Sequence, residues 1–305
     1  MIHVLGSINI DYSSTVARLP AAGETVMGDN LQLTPGGKGA NQALAARRAG
    51  AEVKLTGAVG TDEVALQATA LLREAGVDMS SVAVIDGPTG CAFVFVDSGS
   101  ENQIIIIPGA NGEVTQNHGS QLSITVDDIL LLQLEVPIPA VCAAAEAAKK
   151  AGAMVIANLA PYQTMPAVFY ENVDLLILNE TEAELLSADI GLSPIQPSDK
   201  SAEALRIAEN LRTQVIITLG SDGLVATDES QTVITIPGLR IDPIDTVGAG
   251  DTFAGFLGAM LARGSSLQNA CKIANAAAAL ACTKAGAQTA IPTLDELSET
   301  ARNVD

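Results

Sequence analysis

From residue 127 onward one unit repeats: a short run of Val, Ile and Leu, then a segment with helical spacing. The apolar runs are Asp128–Leu134, Met154–Asn158, Asp174–Leu178 and Val215–Leu219, and helical patterns span about Ala140–Ala151 and Ala202–Arg212. A strand that is apolar at successive positions must be covered on both faces. Alternating helices supply that cover when they flank a parallel sheet. The predicted class is therefore α/β, with a mostly parallel central sheet between helical layers. Ile2–Ile8, Glu52–Gly60, a helix closing at Arg47-Arg48-Ala49-Gly50 and a helix over Asp62–Ala75 extend the pattern to the N-terminus. Gly50 and Gly76 stand where helices commonly end.

Three segments break the alternation. Cys91–Asp97 and Gln103–Pro108 are β-rich runs joined by Ser98-Gly99-Ser100-Glu101-Asn102, which reads as a hairpin, and Tyr12–Leu33 is polar. Together they predict a small antiparallel flap beside the main sheet. Its bare edge and apolar face call for a partner or a ligand. A long Ala-rich helix is predicted over Leu267–Thr283, and Leu192–Lys200, with two prolines, reads as a surface loop.

In sheets of this kind ligands bind beyond the carboxyl ends of the strands. The polar residues Asn9 and Asp11, Glu135, Asn158, Asn179 and Glu182, and Thr218 and Gly220 all fall there, which predicts one common rim. The densest stretch is Asp245-Thr246-Val247-Gly248-Ala249-Gly250-Asp251-Thr252-Phe253. Phe253, Phe256, Leu257, Met260 and Leu261 lie at i, i+3, i+4, i+7 and i+8, so a helix with one apolar face starts near Gly248–Asp251. Its first N–H groups lack internal partners and carry the positive end of the helix dipole. Small residues leave them open to an anion, and Asp251 places a carboxylate in the same turn. That pairing suits phosphoryl transfer to a hydroxyl, although an ordinary helix cap has the same ingredients.

Pro35-Gly36-Gly37-Lys38-Gly39-Ala40-Asn41-Gln42 forms a second glycine turn ahead of a helix. Lys38 is followed by Gly39 rather than Ser or Thr, so it is not a P-loop, and GxGxxG is absent. What remains is a turn open to close ligand approach, with Lys38 and Asn41 as donors.

Composition narrows the partners. Aromatic residues are 3 % of the 305 with no Trp, and the net charge is -19, which disfavours nucleic acid and anionic membranes. The longest apolar runs are too short to span a bilayer. No basic leader precedes Ile2-His3-Val4-Leu5, and the four cysteines have no CxxC spacing, so a cytoplasmic chain with reduced thiols is expected.

Gly36-Gly37-Lys38-Gly39-Ala40-Asn41, Asn179-Glu180-Thr181-Glu182 and Asp245–Phe253, in that order, resemble the signatures of the ribokinase-like (PfkB) carbohydrate kinase family over nearly the whole length. The resemblance implies a three-layer α/β/α sandwich: one kinase domain over 1–305 with a β lid at about 11–35 and 90–108, pairing with a second subunit's lid in a homodimer. It implies transfer of the γ-phosphate of ATP to the 5-hydroxyl of D-ribose, with deoxyribose, fructose or a nucleoside as alternative acceptors, and no nucleic-acid or membrane partner. Asp251 is then the base and Gly248, Ala249 and Gly250 the anion hole. Asn9, Asp11, Gly37, Lys38, Asn41, Glu135 and Asp251 match sugar-binding positions. Asn179, Thr218, Gly220, Gly223, Gly250 and Asn275 match nucleotide-binding positions. Glu182 matches a residue that organises Mg²⁺ through water. Asp245, Val247, Ala281, Lys284, Gly286 and Ala290 match a potassium site built mostly from backbone carbonyls. Ala290 and Asn275 stand where a hydroxyl residue and a His are common in the family, and Tyr12 stands where a His is common.

Overall fold

The structure is a computed structural model and describes residues 1–97, 99, 102–196 and 199–297. Residues 98, 100 and 101 of the expected hairpin connection and residues 197 and 198 of the expected surface loop lie outside it. In chain order the elements begin with β1 (Ile2–Leu5), β2 (Asn9–Val16), β3 (Gly28–Gly36), α1 (Lys38–Arg48), β4 (Val53–Gly60), α2 (Val64–Ala68) and α3 (Ala70–Ala75). They continue with β5 (Asp78–Ile85), β6 (Gly90–Asp97), β7 (Asn102–Ile107), α4 (Gln116–Ser120), β8 (Ile129–Leu132), α5 (Ile138–Ala151), β9 (Met154–Asn158) and α6 (Ala167–Tyr170). The last third holds β10 (Leu175–Asn179), α7 (Glu180–Asp189), α8 (Lys200–Leu211), β11 (Gln214–Thr218), β12 (Gly223–Thr227), β13 (Val233–Pro237), α9 (Ala249–Ala262), α10 (Leu267–Ala281) and α11 (Ala287–Ala290).

Among the described residues the large sheet has the order β13-β12-β11-β10-β9-β8-β1-β4-β5. The strands from β11 to β5 pair in parallel, while β12 and β13 close the far edge antiparallel. Alternate residues of β8 show why both faces are apolar. Ile129 and Leu131 enter a core with α1, α9 and α10, whereas Leu130 and Leu132 enter a second core with α5, α7 and α8. A side-chain period of two therefore feeds two helical layers from one strand.

Three expectations change. The helix over 62–75 breaks at Thr69, whose hydroxyl donates back to the Ala65 carbonyl (2.7 Å) and whose backbone leaves the helical region. The helix after Gly248 is not apolar on one face only: every residue of α9 from Asp251 to Met260 is buried, because α1, α10 and the sheet enclose it. Gly255 allows that packing, since a Cβ there would lie 2.5 Å from the Ala45 Cβ and 2.6 Å from the Gln42 carbonyl oxygen.

The third concerns the small sheet, of order β3-β2-β6-β7. β2–β3 and β6–β7 are antiparallel, but β2 and β6 pair in parallel from Asn9↔Gly90 to Val16↔Asp97. The flap is mixed because β1 and β5 run in the same direction and each continues directly into one of its central strands. Tyr12 stacks on Phe93 across that parallel pair, with centroids 5.2 Å apart. β7 leaves Ile104–Ile107 exposed at the edge.

Candidate active site

Two helix N-termini meet beyond the carboxyl edge of the large sheet. α1 starts after Gly37, whose φ of +90° and tight approach to Ile8 and Asn9 admit no side chain. α9 starts after Gly248, at φ +78°. Close packing of α1 against α9 brings residues about 210 positions apart together. Asn41 Nδ2 donates to Asp251 Oδ2 (2.9 Å) and Gln42 Nε2 donates to Asp251 Oδ1 (3.0 Å). Asp251 is only 5 % exposed. The N–H groups of Gly250 and Asp251 have no acceptor within the helix, while that of Ala249 turns back to the Thr246 carbonyl at 3.3 Å. A Cβ built on Gly250 meets nothing within 4 Å, so the turn opens on free space of the kind an anion needs.

The predicted sugar residues gather on the α1 side. Glu135 Oε2 accepts from the Lys38 N–H (3.0 Å) and from the Ser7 hydroxyl. Asn9 lies at the start of β2, where Asn111 Nδ2 donates to its Oδ1 (2.7 Å) and so leaves the Asn9 amide N–H groups free. Asp11 lies against Gly36, where a Cβ would meet its carboxylate. Burial, together with the Glu135 and Asp251 carboxylates, pushes Asp11 up to about 7, against the pull of Lys38. Lys38 is held above the usual lysine range, chiefly by Asp251, with Glu135, Glu182 and Asp11 adding to the effect. The site is thus a cluster of carboxyl groups around one half-buried ammonium.

On the other side of Asp251 a cleft of about 860 Å³ runs along the sheet edge. Its lining includes Lys38, Asn179, Glu182, Thr218, Gly220, Gly223, Gly248–Asp251 and Asn275, so the predicted nucleotide residues share one cavity with Asp251. Gly220 (φ +54°) faces open space. Gly223 has a backbone reason as well: a Cβ there would lie 2.1 Å from the Ile236 carbonyl oxygen. Asn275 Nδ2 donates to the Pro237 carbonyl (3.0 Å). Asn179 and Glu182 form a reciprocal capping box at the start of α7: each side chain accepts the other's N–H at 2.8 Å. This leaves one Glu182 carboxylate oxygen for a further ligand. Burial raises the Glu182 carboxyl, opposed by the Asn179 bond and Lys38.

The residues of the expected monovalent-ion site lie beside this cleft rather than in it. Asp245 bridges two loops, Oδ1 accepting from the Val247 N–H (3.0 Å) and Oδ2 from the Gly286 N–H (2.8 Å). Lys284 Nζ pairs with Glu296 at 2.9 Å, so only its backbone carbonyl can serve an ion. The Ala281 and Gly286 carbonyls each accept one N–H, from Lys284 and Ala290, and keep a second lone pair. A carboxylate with several carbonyls is a donor set that fits a weakly hydrated cation. Among the described residues no three His, Cys, Asp or Glu side chains cluster as a metal cage, and no helix is long and apolar enough to cross a membrane.

Gln42, Gln133, Ser7 and Asn111 also belong to the site. Polarity alone did not mark them, because each sits within or beside an apolar element and is recognised only by what it touches.

The family model for pfkB family carbohydrate kinases matches residues 1–294. A ribokinase from Haemophilus influenzae is 38 % identical over 299 residues, covering 97 % of this chain and 96 % of that protein. The crystal structure of a Thermotoga maritima ribokinase superposes with a TM-score of 0.88 at 32 % identity over 99 % of both chains. The Arabidopsis thaliana ribokinase complexed with ribose and ATP superposes with a TM-score of 0.86 at 29 % identity, over 98 % of this chain and 97 % of that one. With the two signature turns meeting at Asp251, this chain belongs to the pfkB family of carbohydrate kinases.

Proposed function

We propose that this chain transfers the γ-phosphate of ATP to the 5-hydroxyl of D-ribose, forming D-ribose 5-phosphate and ADP. One observation carries the chemistry: the Asp251 carboxylate is buried beside the open Gly250 turn, between a polar pocket and a long cleft. Asn9, Asp11, Gly37, Lys38, Asn41 and Glu135 hold the sugar hydroxyls, and these polar partners favour a polyhydroxylated ring over an apolar base. Asn179, Thr218, Gly220, Gly223 and Asn275 hold the nucleotide along the cleft. Asp251 takes the 5-hydroxyl proton as that oxygen bonds to the γ-phosphorus, and the bond to the β–γ bridging oxygen breaks to release ADP. The turn Gly248–Gly250 faces the equatorial oxygens of the phosphoryl group. The transition state is loose, so placement and charge stabilisation dominate.

The free Glu182 oxygen would hold Mg²⁺ through water; when bound, the ion neutralises phosphate charge. Asp245 and the carbonyls of Val247, Ala281, Lys284, Gly286 and Ala290 would hold K⁺, which when bound steadies the loop leading to the anion turn. The small sheet, spanning about 11–35 and 90–108 of a single 1–305 domain, acts as a lid over the sugar. Its exposed β7 edge suits pairing with a second lid in a homodimer. The four free cysteines suit the cytoplasm.

The test is a sugar panel (ribose, 2-deoxyribose, fructose and a nucleoside) with coupled ADP detection. Ribose should rank first in kcat/KM. A different sugar ranking first refutes the choice of acceptor, and ADP release with none refutes the reaction.

A further inference from the structure

Behind Asp251 lies a chain of buried amides that the reaction outlined above does not use. Gln42, whose Nε2 donates to Asp251 Oδ1 at 3.0 Å, receives Gln133 Nε2 on its own Oε1 at 2.6 Å. Both glutamines are essentially solvent-free, at 1 % and 0 % exposure. A second contact pins the direction. Asn158 Nδ2 donates to the Ile177 carbonyl, so its Oδ1 faces Gln42 and accepts from the same Nε2 at 3.2 Å. A carboxylate only accepts, so the polarity of the chain is set from Asp251 backwards.

We infer that Gln133 is a positioning residue for phosphoryl transfer: by holding Gln42 with its N–H groups toward Asp251, it fixes the carboxylate that receives the sugar proton. The inference rests on Asp251 being that base. Gln133 Oε1 has no hydrogen-bond partner although it is buried. A group left unsatisfied in this way costs stability and offsets what the bond to Gln42 gains. Room for it comes from Gly6, where a Cβ would lie 2.0 Å from that oxygen. Without Gln133, Gln42 keeps its Nε2 bonds to Asp251 and Asn158 but loses the donor that anchors its Oε1, so its side chain and the carboxylate it holds can shift. Small misplacements at a reacting centre have large rate effects.

The experiment is a double-mutant cycle on kcat with Gln133→Met and Gln42→Met, with Asp251→Ala measured alongside. Gln133→Met conserves shape and removes both the donor and the unpaired oxygen. It should lower kcat about tenfold, with KM for sugar and ATP within about twofold and the melting temperature little changed, because removal of the unpaired Gln133 Oε1 offsets the donor lost by Gln42 Oε1. The double variant should fall no further than the worse single variant, because Gln133 acts through Gln42. Unchanged kcat in Gln133→Met, multiplicative losses in the double variant, or a kcat loss that tracks a lower melting temperature would overturn the inference. Gln133→Leu serves if Gln133→Met does not fold, and failure of both to fold assigns a structural role and overturns it too. If Asp251→Ala keeps turning over, the assignment of the base is what has failed. If Asp251→Ala is inactive while Gln133→Met matches the parent, the positioning role alone has failed.

Discussion

With Asp251 as the proposed base, its replacement by Ala should separate proton transfer from anion binding, because the N–H donors of the α9 turn belong to the backbone and remain. A placed general base contributes about 10²–10⁴-fold, or about 3–5 kcal/mol at roughly 1.4 kcal/mol per tenfold. The stability change is smaller and can be worked from the contacts. Asn41 Nδ2 loses its acceptor while Asn41 Oδ1 already lacks a donor, which costs about 1–3 kcal/mol. Gln42 keeps Asn158. Lys38 loses its main opposite charge, while Asp11 and Glu182 lose a facing carboxylate, and the two effects oppose each other. With an unfolding entropy of about 2.1 cal/mol/K per residue, about 0.6 kcal/mol/K for this length, the melting temperature falls by at most about 5 °C. Coupled ADP release at saturating sugar and ATP should show kcat down by a factor of about 10²–10⁴. Calorimetric titration with ribose should show affinity within about tenfold of the parent, since Asn9, Asp11, Lys38 and Glu135 remain. Turnover within tenfold of the parent, or a loss of ribose binding large enough to explain the lost activity, would refute the reasoning.

Gly255→Ala places a Cβ 2.5 Å from Ala45 and should spread α1 from α9; overpacking of this kind costs about 1–3 kcal/mol. Both melting temperature and kcat should drop, and a kcat equal to the parent's would break the proposed link between that contact and the alignment of Gln42. Asp11, raised from 3.8 to about 7, keeps its proton in the folded chain where the unfolded chain has lost it. Its contribution is therefore complete below about pH 4 and is lost as pH rises toward 7. Asp11→Asn should remove that decline, so its melting temperature relative to the parent climbs across this window; a flat difference between pH 4 and 8 contradicts the shift. Potassium should support faster turnover than sodium, and Asp245→Ala, which unties Val247 from Gly286, should lower kcat and abolish the preference. Equal rates in both salts would remove the ion role given to these loops.

The fold was legible where the pattern is local. Ile129–Leu132 is apolar at every position because each residue faces one of two helical layers, and such a run reads as a buried strand without any knowledge of its neighbours. β12 opens on Gly223 and closes on Thr227, β13 carries Thr235 and closes on Pro237, and Asp78–Ile85 mixes polar and apolar residues, so these strands become visible only through pairing partners. The helix from Ala249 was predicted with one apolar face because periodicity reports the most apolar side and is silent on whether the remaining sides are covered as well. Asn179 and Glu182 show a different limit: their i, i+3 spacing marks both a capping box and a site element, and the structure has them forming the cap while still lining the cleft.

The amino-acid sequence determined the layers, the two glycine turns and the carboxylate at the head of a helix, because each depends on residues within a dozen positions of one another. Tertiary structure alone decided that α1 and α9 pack closely enough for Asn41 and Gln42 to grip Asp251, and that Gln133, more than ninety positions from Gln42, stands behind them. Contacts between such distant residues arise from how helices seat on a sheet, and a hydrogen bond across that interface leaves no periodicity in the chain that makes it.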